Sequence, residues 1–326
     1  MTRARIFEPE VAVTAALPGA ALDRLAGRCT VRVRPERTVL DESALAAFIG
    51  SADAAITLLA DPVTEAVLSA CPALRIVANY AVGYDNVDLD AARERGIWVT
   101  NTPDVLTEAT ADFTWALILA VTRRIVEGDG VMRRGEFHGW RPDLMLGRGL
   151  QGKILGIVGY GRIGRAVARR GLVFGMDVAA TSRHPFPEDE APVRFLPLEE
   201  LLAASDVVTL HCPLTPETHH LLDRRRLSLL PAGAYVINTS RGPVVDEAAL
   251  VDVLETGRLG GAALDVYERE PEVHPGLPGR RDVVLAPHLG SATEEARAAM
   301  ADVAVANVDA VLEGREPPNP LVRGAG

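Results

Sequence analysis

Short apolar and β-branched runs alternate along this chain with stretches in which apolar positions recur every three or four residues. The first pattern is that of buried strands and the second that of helices with one apolar face, so their alternation predicts mostly parallel sheets covered by helices. In the first third, strands are expected at 11–14, 30–33, 54–58, 75–79 and 97–101, with helical patterns at 18–26, 42–48, 64–70 and 88–95 between them. Asn101-Thr102-Pro103 closes this set, and a long helical pattern over 106–122 leads into a polar Arg-, Gly- and Glu-rich stretch ending at Gly135. A second set of strands is expected at 154–159, 177–181, 207–211, 234–238, 262–266 and 283–286. The final helical pattern, 293–312, stops at Glu313-Gly314 ahead of Pro317-Pro318 and is expected to return to the first set. Two domains follow: 1–101 completed by 291–326, and 102–290.

Composition narrows what these domains do. The 326 residues, 48% of them hydrophobic, suffice for two cores. With 34 basic against 44 acidic residues the formal charge is −10, which leaves no overall basic field for nucleic acid. Cys29, Cys71 and Cys212 stand far apart without a C-x-x-C pair, which argues against a disulfide framework or thiolate metal site and for a cytoplasmic protein. Glu8 and Glu10 interrupt any N-terminal signal core, and the longest mostly apolar run, 113–121, falls short of the ~20 residues that span a bilayer. No nucleic-acid, membrane or metal partner is expected. Lys153, the only lysine, starts an apolar strand in Gly152-Lys153-Ile154-Leu155, which excludes a Walker A loop and leaves no other lysine for Schiff-base chemistry.

Gly159-Tyr160-Gly161-Arg162-Ile163-Gly164 directly follows the apolar run 154–158 and opens a helical pattern over 163–174. Strand, glycine turn and helix in that order make a dinucleotide-binding unit: Gly159 makes the turn, Gly161 lets a diphosphate reach the backbone, and Gly164 lets helix and strand pack closely. The fold class expected is therefore α/β, with two Rossmann-like or flavodoxin-like domains built on parallel sheets. An acid at the end of the second strand would accept from the ribose 2′-hydroxyl of NAD. Asp177 stands instead at the beginning of that strand, whose end runs into Ser182-Arg183. Ser182 could donate to a 2′-phosphate and Arg183 could pair with it or stack on adenine, so NADP(H) is preferred and NAD(H) stays open.

Three further strand ends carry chemistry: Asn238-Thr239-Ser240-Arg241-Gly242, the segment from Asp265 to Pro271, and Ala286-Pro287-His288-Leu289-Gly290-Ser291. In open α/β sheets ligands bind outside the carboxyl ends of the strands, so all three border one crevice. Together with the glycine loop and Asn79-Tyr80-Ala81-Val82-Gly83-Tyr84-Asp85-Asn86, these motifs resemble the D-isomer-specific 2-hydroxyacid dehydrogenase family over essentially the whole chain. The segment from Gly135 to Trp140, with Leu146 and Gly147, is most similar to the glyoxylate/hydroxypyruvate reductase branch.

The resemblance implies NAD(P)H-dependent reduction of a small 2-oxo acid, glyoxylate or hydroxypyruvate, to the D-2-hydroxy acid. It makes 1–101 with 291–326 the substrate domain and 102–290 the dinucleotide domain, closing at hinges near Asn101 and Gly290. Such a reduction needs a hydride, a proton for the forming alkoxide, and a cation to hold carboxylate and carbonyl in line. His288 is the implied general acid, Glu270 the partner that orients it and favours the imidazolium, and Arg241 the fork that binds the carboxylate and polarises the C2 carbonyl. Backbone N–H groups of Val82 and Gly83 are implied to receive the substrate carboxylate, Ser291 to touch substrate, and Leu58, with Leu59 and Ala60, to form an apolar wall. Beside Tyr160, Arg162 and Ile163 of the glycine loop, the implied cofactor contacts are Thr110, Cys212, Pro213, Thr239, Asp265 and Gly290. Trp140 would reach a neighbouring subunit's substrate pocket in a homodimer formed through 106–135. His138, His219, His220 and His274 lack metal-like spacing and are expected to face solvent.

Departures within the family narrow the substrate. The phosphite-oxidising branch places a lysine where Val82 stands, and formate dehydrogenases a glutamine where Glu270 stands, which argues against both. A phosphoglycerate dehydrogenase-like enzyme stays open: many members add a regulatory domain, whereas this chain ends at Gly326, as short forms do. A dinucleotide-sensing, corepressor-like scaffold would keep Arg, Glu and His, but nothing in this chain resembles the tail or peptide-recruiting arm it would use.

Overall fold

The computed structural model describes residues 8–36, 38–183 and 192–324. The chain divides into two compact units, Met1–Leu106 with Ala292–Gly326, and Thr107–Ser291. In the first unit, β1 (Glu10–Val13), β2 (Thr30–Val33), β3 (Ala54–Thr57), β4 (Ile76–Asn79) and β5 (Trp98–Thr100) run parallel in the order β2-β1-β3-β4-β5. Helices α1 (Ala21–Ala26), α2 (Glu42–Ile49), α3 (Glu65–Ala70) and α4 (Leu89–Glu94) connect them. β3 and β4 are buried at every position, which is why they read as unbroken apolar runs. Asp41 and Asp88 start α2 and α4, each carboxylate accepting the N–H three residues on.

The second unit opens with α5 (Thr107–Thr122) and α6 (Ile125–Arg133). It continues through β6 (Ile154–Val158), α7 (Arg162–Val173), β7 (Asp177–Thr181), β8 (Val193–Phe195), α8 (Leu198–Ala204), β9 (Val207–Leu210) and α9 (Arg224–Leu227). β10 (Tyr235–Asn238), α10 (Glu247–Glu255), β11 (Gly261–Leu264) and β12 (Val283–Leu285) complete it. All these strands are parallel, in the order β12-β11-β10-β9-β6-β7-β8. Side chains alternate between two cores: Leu155 and Ile157 pack with Trp115, Ile118 and Val167, while Val158 joins Leu210, Val236 and Leu250 on the other face. The chain reverses its travel across the sheet between β6 and β9, so the loops after these strands part and leave a crevice.

After this unit, α11 (Glu294–Leu312) returns to the first and packs against α1, β3 and β4, where Arg75 donates to the Val311 carbonyl at 2.6 Å. β13 (Pro320–Val322) then pairs antiparallel with β5. The expected α/β class with two Rossmann-like domains is met, and β8, β13, α6 and the helices α8 to α10 have no counterpart among the expected segments. β13 and the half-exposed edge strand β8 are three residues each, too short to show a period. α6 replaces the expected polar stretch: Gly128 and Gly130 weaken its helical signal, but the Arg124–Glu127 and Arg133–Asp129 pairs lie one turn apart. No described helix is long and apolar enough to cross a membrane, and no group of three or more His, Cys, Asp or Glu among the described residues could hold a metal ion.

Candidate active site

β6 ends at Val158, and Gly159 turns the chain at a φ of +95°, where a side chain is strained. Its N–H donates to the Thr181 carbonyl at 3.0 Å, holding the turn against the end of β7. A Cβ on Gly159 would lie 2.6 Å from the Cys212 nitrogen, and one on Gly164 would lie 2.3 Å from the Gly159 carbonyl oxygen. The fold itself therefore demands both glycines. Gly161 is different: its φ is −82°, and a Cβ there would meet no protein atom within 4 Å. It is the N-cap of α7, a helix that no side chain caps and whose first turn carries no acid. Uncapped N–H groups and the positive helix end border open space, the shape and charge that suit a dinucleotide diphosphate. Tyr160 is buried edge-on to Phe195 at 5.2 Å and steadies the turn, while Arg162 is exposed and Ile163 half-buried.

Asp177 pairs with Ile154 at the far end of β6, whereas Thr181 pairs with Val158 beside the glycine turn. The exposed Ser182 and Arg183 thus follow the strand at the position where an NAD site carries its acid. The Arg183 charge acts on both Cys212 and Glu217, which puts its guanidinium near the loop after β9. Burial pushes the Cys212 thiol up to about 11, so it is not a thiolate at neutral pH. Pro213 beside it is exposed and accepts the Thr218 hydroxyl at 2.6 Å. His211, 2.9 Å from the Thr209 hydroxyl, is pushed down to about 3 by burial and stays neutral.

The ends of β10, β11 and β12 meet at a corner. Asn238 shapes the first: its amide donates to the Arg241 carbonyl at 2.9 Å, and its Oδ1 accepts the Ser240 N–H at 3.0 Å and hydroxyl at 2.9 Å. The Thr239 hydroxyl lies 2.9 Å from that of Thr114, which donates to the Thr110 carbonyl at 2.8 Å. A Cβ on Gly242 would fall 1.9 Å from the Tyr267 carbonyl, so the turn after Arg241 runs directly against the segment leading to Glu270. The Tyr267 N–H donates to Glu270 Oε1 at 3.0 Å, and Glu270 Oε2 lies 3.0 Å from His288 Nδ1. The buried Asp265 carboxylate accepts N–H groups of Leu289 at 2.6 Å and Gly290 at 2.8 Å, while its carbonyl accepts that of His288 at 2.8 Å. His288 is held at a φ of +54°. A Cβ on Gly290 would approach Asp265 Oδ2 at 3.3 Å and Thr110 Cγ2 at 3.4 Å, so Thr110, Asp265 and Gly290 cluster.

Burial pushes the Asp265 carboxyl up, against the two N–H bonds that favour its charge. Burial also pushes Glu270 up, but the hydrogen bond and charge of His288, the Tyr267 N–H and the charge of Arg241 outweigh it, leaving this carboxyl below its ordinary range. The stability this carboxylate contributes is complete above its ordinary pKa and is lost as pH falls through the lowered one. Arg241 Nη1 also donates to the Ser240 carbonyl at 2.9 Å. With Nδ1 engaged by Glu270, the imidazole has Nε2 for proton exchange. A carboxylate-held imidazole within reach of a guanidinium can bind an anionic carbonyl compound and pass it a proton.

In the first unit, Leu58 follows β3 and Val82-Gly83 follow β4, all half-buried. Asn79 donates to the Gly83 carbonyl and Asn101 to that of Val82, each at 2.8 Å. Asn86 donates to the carbonyls of Leu58 at 3.1 Å and Asp61 at 3.0 Å, and Asp61 accepts the Leu58 N–H at 2.7 Å. Asp61 and Thr114 lie outside the expected site, while Asn238 and Tyr267 stand within the expected strand-end segments and act by holding backbone. Ser291 is half-buried, and Trp140 is 81% exposed near the exposed Phe137 and Leu146 in sequence. Two histidines depart from the expected solvent-facing position: His220 is half-buried with Nε2 at 2.8 Å from Glu268, and His274 Nδ1 accepts the Gly276 N–H at 3.2 Å.

Residues 115–290 match the model of the D-isomer specific 2-hydroxyacid dehydrogenase, NAD binding domain. A glyoxylate reductase from Thermococcus gammatolerans is 46% identical over 318 residues, covering 96% of this chain and 95% of that protein. One from Aeropyrum pernix is 46% identical over 319 residues, covering 95% of each. Among solved structures, the TT0316 protein from Thermus thermophilus is 52% identical with a TM-score of 0.91, covering 96% of this chain and 100% of that one. An NADPH-dependent glyoxylate/hydroxypyruvate reductase from Sinorhizobium meliloti, solved with NADP and malonate, is 33% identical with a TM-score of 0.87, covering 98% and 99%.

The contrast between the loop glycines is testable. Gly161→Ala is expected to fold with a stability loss of about 1 kcal/mol or less, yet to weaken dinucleotide binding about tenfold or more. Gly164→Ala is expected to lower the Tm itself. Thermal melts and NADPH titrations measure both, and native dinucleotide affinity in Gly161→Ala would contradict the diphosphate assignment.

Proposed function

Because the chain belongs to the D-isomer-specific 2-hydroxyacid dehydrogenase family, we propose that it reduces glyoxylate and hydroxypyruvate with NADPH, giving D-2-hydroxy acids. It is an NAD(P)-dependent dehydrogenase that reduces a 2-oxo acid to the hydroxy acid; the acid, the stereochemistry and the preferred cofactor are our reading. The observation that carries this reading is the 3.0 Å contact between His288 Nδ1 and Glu270 Oε2, within electrostatic reach of Arg241. The names of the glyoxylate reductase relatives, which align with nearly the whole chain, support the choice of acid.

The dinucleotide, which the glycine turn would hold by its diphosphate, would supply a hydride from its reduced nicotinamide to C2 of the acid. As negative charge grows on the carbonyl oxygen, His288 Nε2 delivers its proton there, so hydride and proton together complete the two-electron reduction. Glu270 holds the other ring nitrogen and stabilises the imidazolium before transfer. Arg241 binds the substrate carboxylate and draws charge onto the carbonyl oxygen, which a planar fork does bidentately. In the reverse direction the neutral His288 takes the hydroxyl proton. For cofactor choice, Ser182 and Arg183 are assigned to the 2′-phosphate; Thr110, Thr239, Asp265 and Gly290 are assigned to the nicotinamide side, and Cys212 and Pro213 to the adenosine side. Val82 and Gly83 are assigned to substrate binding through their N–H groups, and Leu58 to the limit on substrate size. We also assign the exposed Ile125, Val126 and Met132 of α6 to a homodimer contact, which sedimentation at micromolar concentration tests.

Loss of reduced-nicotinamide absorbance is expected with glyoxylate and hydroxypyruvate, faster with NADPH than with NADH, and weaker with 3-phosphohydroxypyruvate. His288→Ala is expected to lose about 10²–10⁴-fold in kcat with cofactor binding retained. Activity within a few-fold of native would remove His288 from the acid role. Arg183→Ala is expected to weaken NADPH much more than NADH, and equal losses would sink the 2′-phosphate assignment.

A further inference from the structure

Beside the Arg241, Glu270 and His288 corner lies a second titratable cluster that the reduction itself does not use: Glu247, Glu268 and His220, with His274 at its edge. Glu268 stands two residues before Glu270, and Glu247 is the first residue of α10. The two hold each other reciprocally, the Glu268 N–H donating to Glu247 Oε1 at 2.7 Å and the Glu247 N–H to Glu268 Oε2 at 3.2 Å. Glu268 Oε1 lies 2.8 Å from His220 Nε2, which donates to it. Asp246 caps α10 through the Ala249 N–H at 2.9 Å and Glu268 takes the N–H at its first position, but the Glu268 N–H bond to Glu247 and the His220 contact go beyond what capping needs. Glu247 is 5% exposed, and burial pushes its carboxyl up; a buried acid bonded to a second acid has a solvation cost that the fold maintains.

His220 connects two strand ends. Its own N–H donates to the Pro243 carbonyl at 2.7 Å, and the Leu222 N–H donates to Val244 at 3.0 Å, so this segment runs along the turn that follows Arg241. His220 holds a φ of +48°, a strained conformation for a histidine. Its ring reaches Glu268, in the segment that leads to Glu270. Gly242 already lies against the Tyr267 carbonyl, so His220 and Glu268 tie together two backbones that touch.

We propose that His220, Glu268 and Glu247 are positioning residues that lock the 241–243 turn to the 267–270 segment and so set Arg241 against the Glu270–His288 pair. The inference rests on the reaction proposed above. Tyr267, next to Glu268, supplies the N–H that holds Glu270 Oε1, and Glu270 Oε2 in turn orients His288. A shift at Glu268 therefore reaches the imidazole through two hydrogen bonds. The glycine turn hangs on β6, β7 and α7 instead, so the grip on the diphosphate does not run through the clamp, whereas Thr239 and Asp265 adjoin it.

The test compares His220→Ala with His220→Gln, whose amide nitrogen can donate to Glu268 from near the place of Nε2. His220→Ala is expected to lose about tenfold in kcat for glyoxylate with a much smaller change in NADPH Kd, and His220→Gln to recover most of it. NMR of the His288 ring reads the same clamp without turnover: its ring resonances move in His220→Ala and return in His220→Gln. Native kcat and unmoved His288 ring resonances in His220→Ala would overturn the proposal, as would parallel losses of Tm and NADPH binding with no change at His288. If the native protein reduces no 2-oxo acid, the proposed reaction fails, and the NMR comparison alone decides the clamp. Should His220→Ala not fold, Glu268→Gln, which keeps the volume and removes the charge, takes its place in both measurements.

Discussion

The buried Asp265 carboxylate is the interaction on which the active corner depends. Taking a carboxylate out of water costs several kcal/mol unless donors replace the lost solvent, and here the Leu289 and Gly290 N–H groups do so at 2.6 and 2.8 Å. Satisfying it bends the chain after β12 back over the end of β11, and the bend holds His288 at a φ of +54°. From that backbone position the imidazole meets Glu270, which the Tyr267 N–H has already fixed. The ends of β11 and β12, which share no sequence neighbourhood, are thus brought together by N–H groups on the Asp265 carboxylate and by the contact of His288 with Glu270.

The sheet order supplies the place for the second reactant. Reversal of chain travel between β6 and β9 opens a crevice, and the contact of Gly159 with Cys212 sets how closely the two loops approach there. Within one hexapeptide, the glycines then divide between two masters. Gly159 and Gly164 are required because protein backbone lies where a side chain would go, whereas Gly161 faces space that the chain leaves open. The same residue type thus serves packing at two positions and leaves open space at the third, where we assign the diphosphate.

Much of this was legible before any coordinates. Central parallel strands are buried on both faces, so their apolar runs stand out, and the strand-turn-helix context of the glycine loop has one economical reading. That Arg241, Glu270 and His288 share one corner was readable because each follows a strand, whereas the roles proposed for them came from the family resemblance. Elements escaped where packing or ion pairing, rather than local pattern, decides: β8 and β13 are too short to show a period, and α6 contains two glycines. The roles of Asn238 and Tyr267 escaped because their work is to hold backbone, and that work has no signature in residue type. His220 escaped for a different reason. A histidine beside another histidine on a loop reads as solvated, and only the fold brings Glu268, 48 residues away in sequence, to its ring.

The account turns on one imidazole serving as acid in one direction and base in the other. The most direct measurement is the pH dependence of kcat/KM for glyoxylate reduction and for glycolate oxidation on the same native protein. The account predicts opposing limbs, reduction falling as pH rises and oxidation falling as pH drops. Two limbs on the same side, or no limb in either direction, would contradict it.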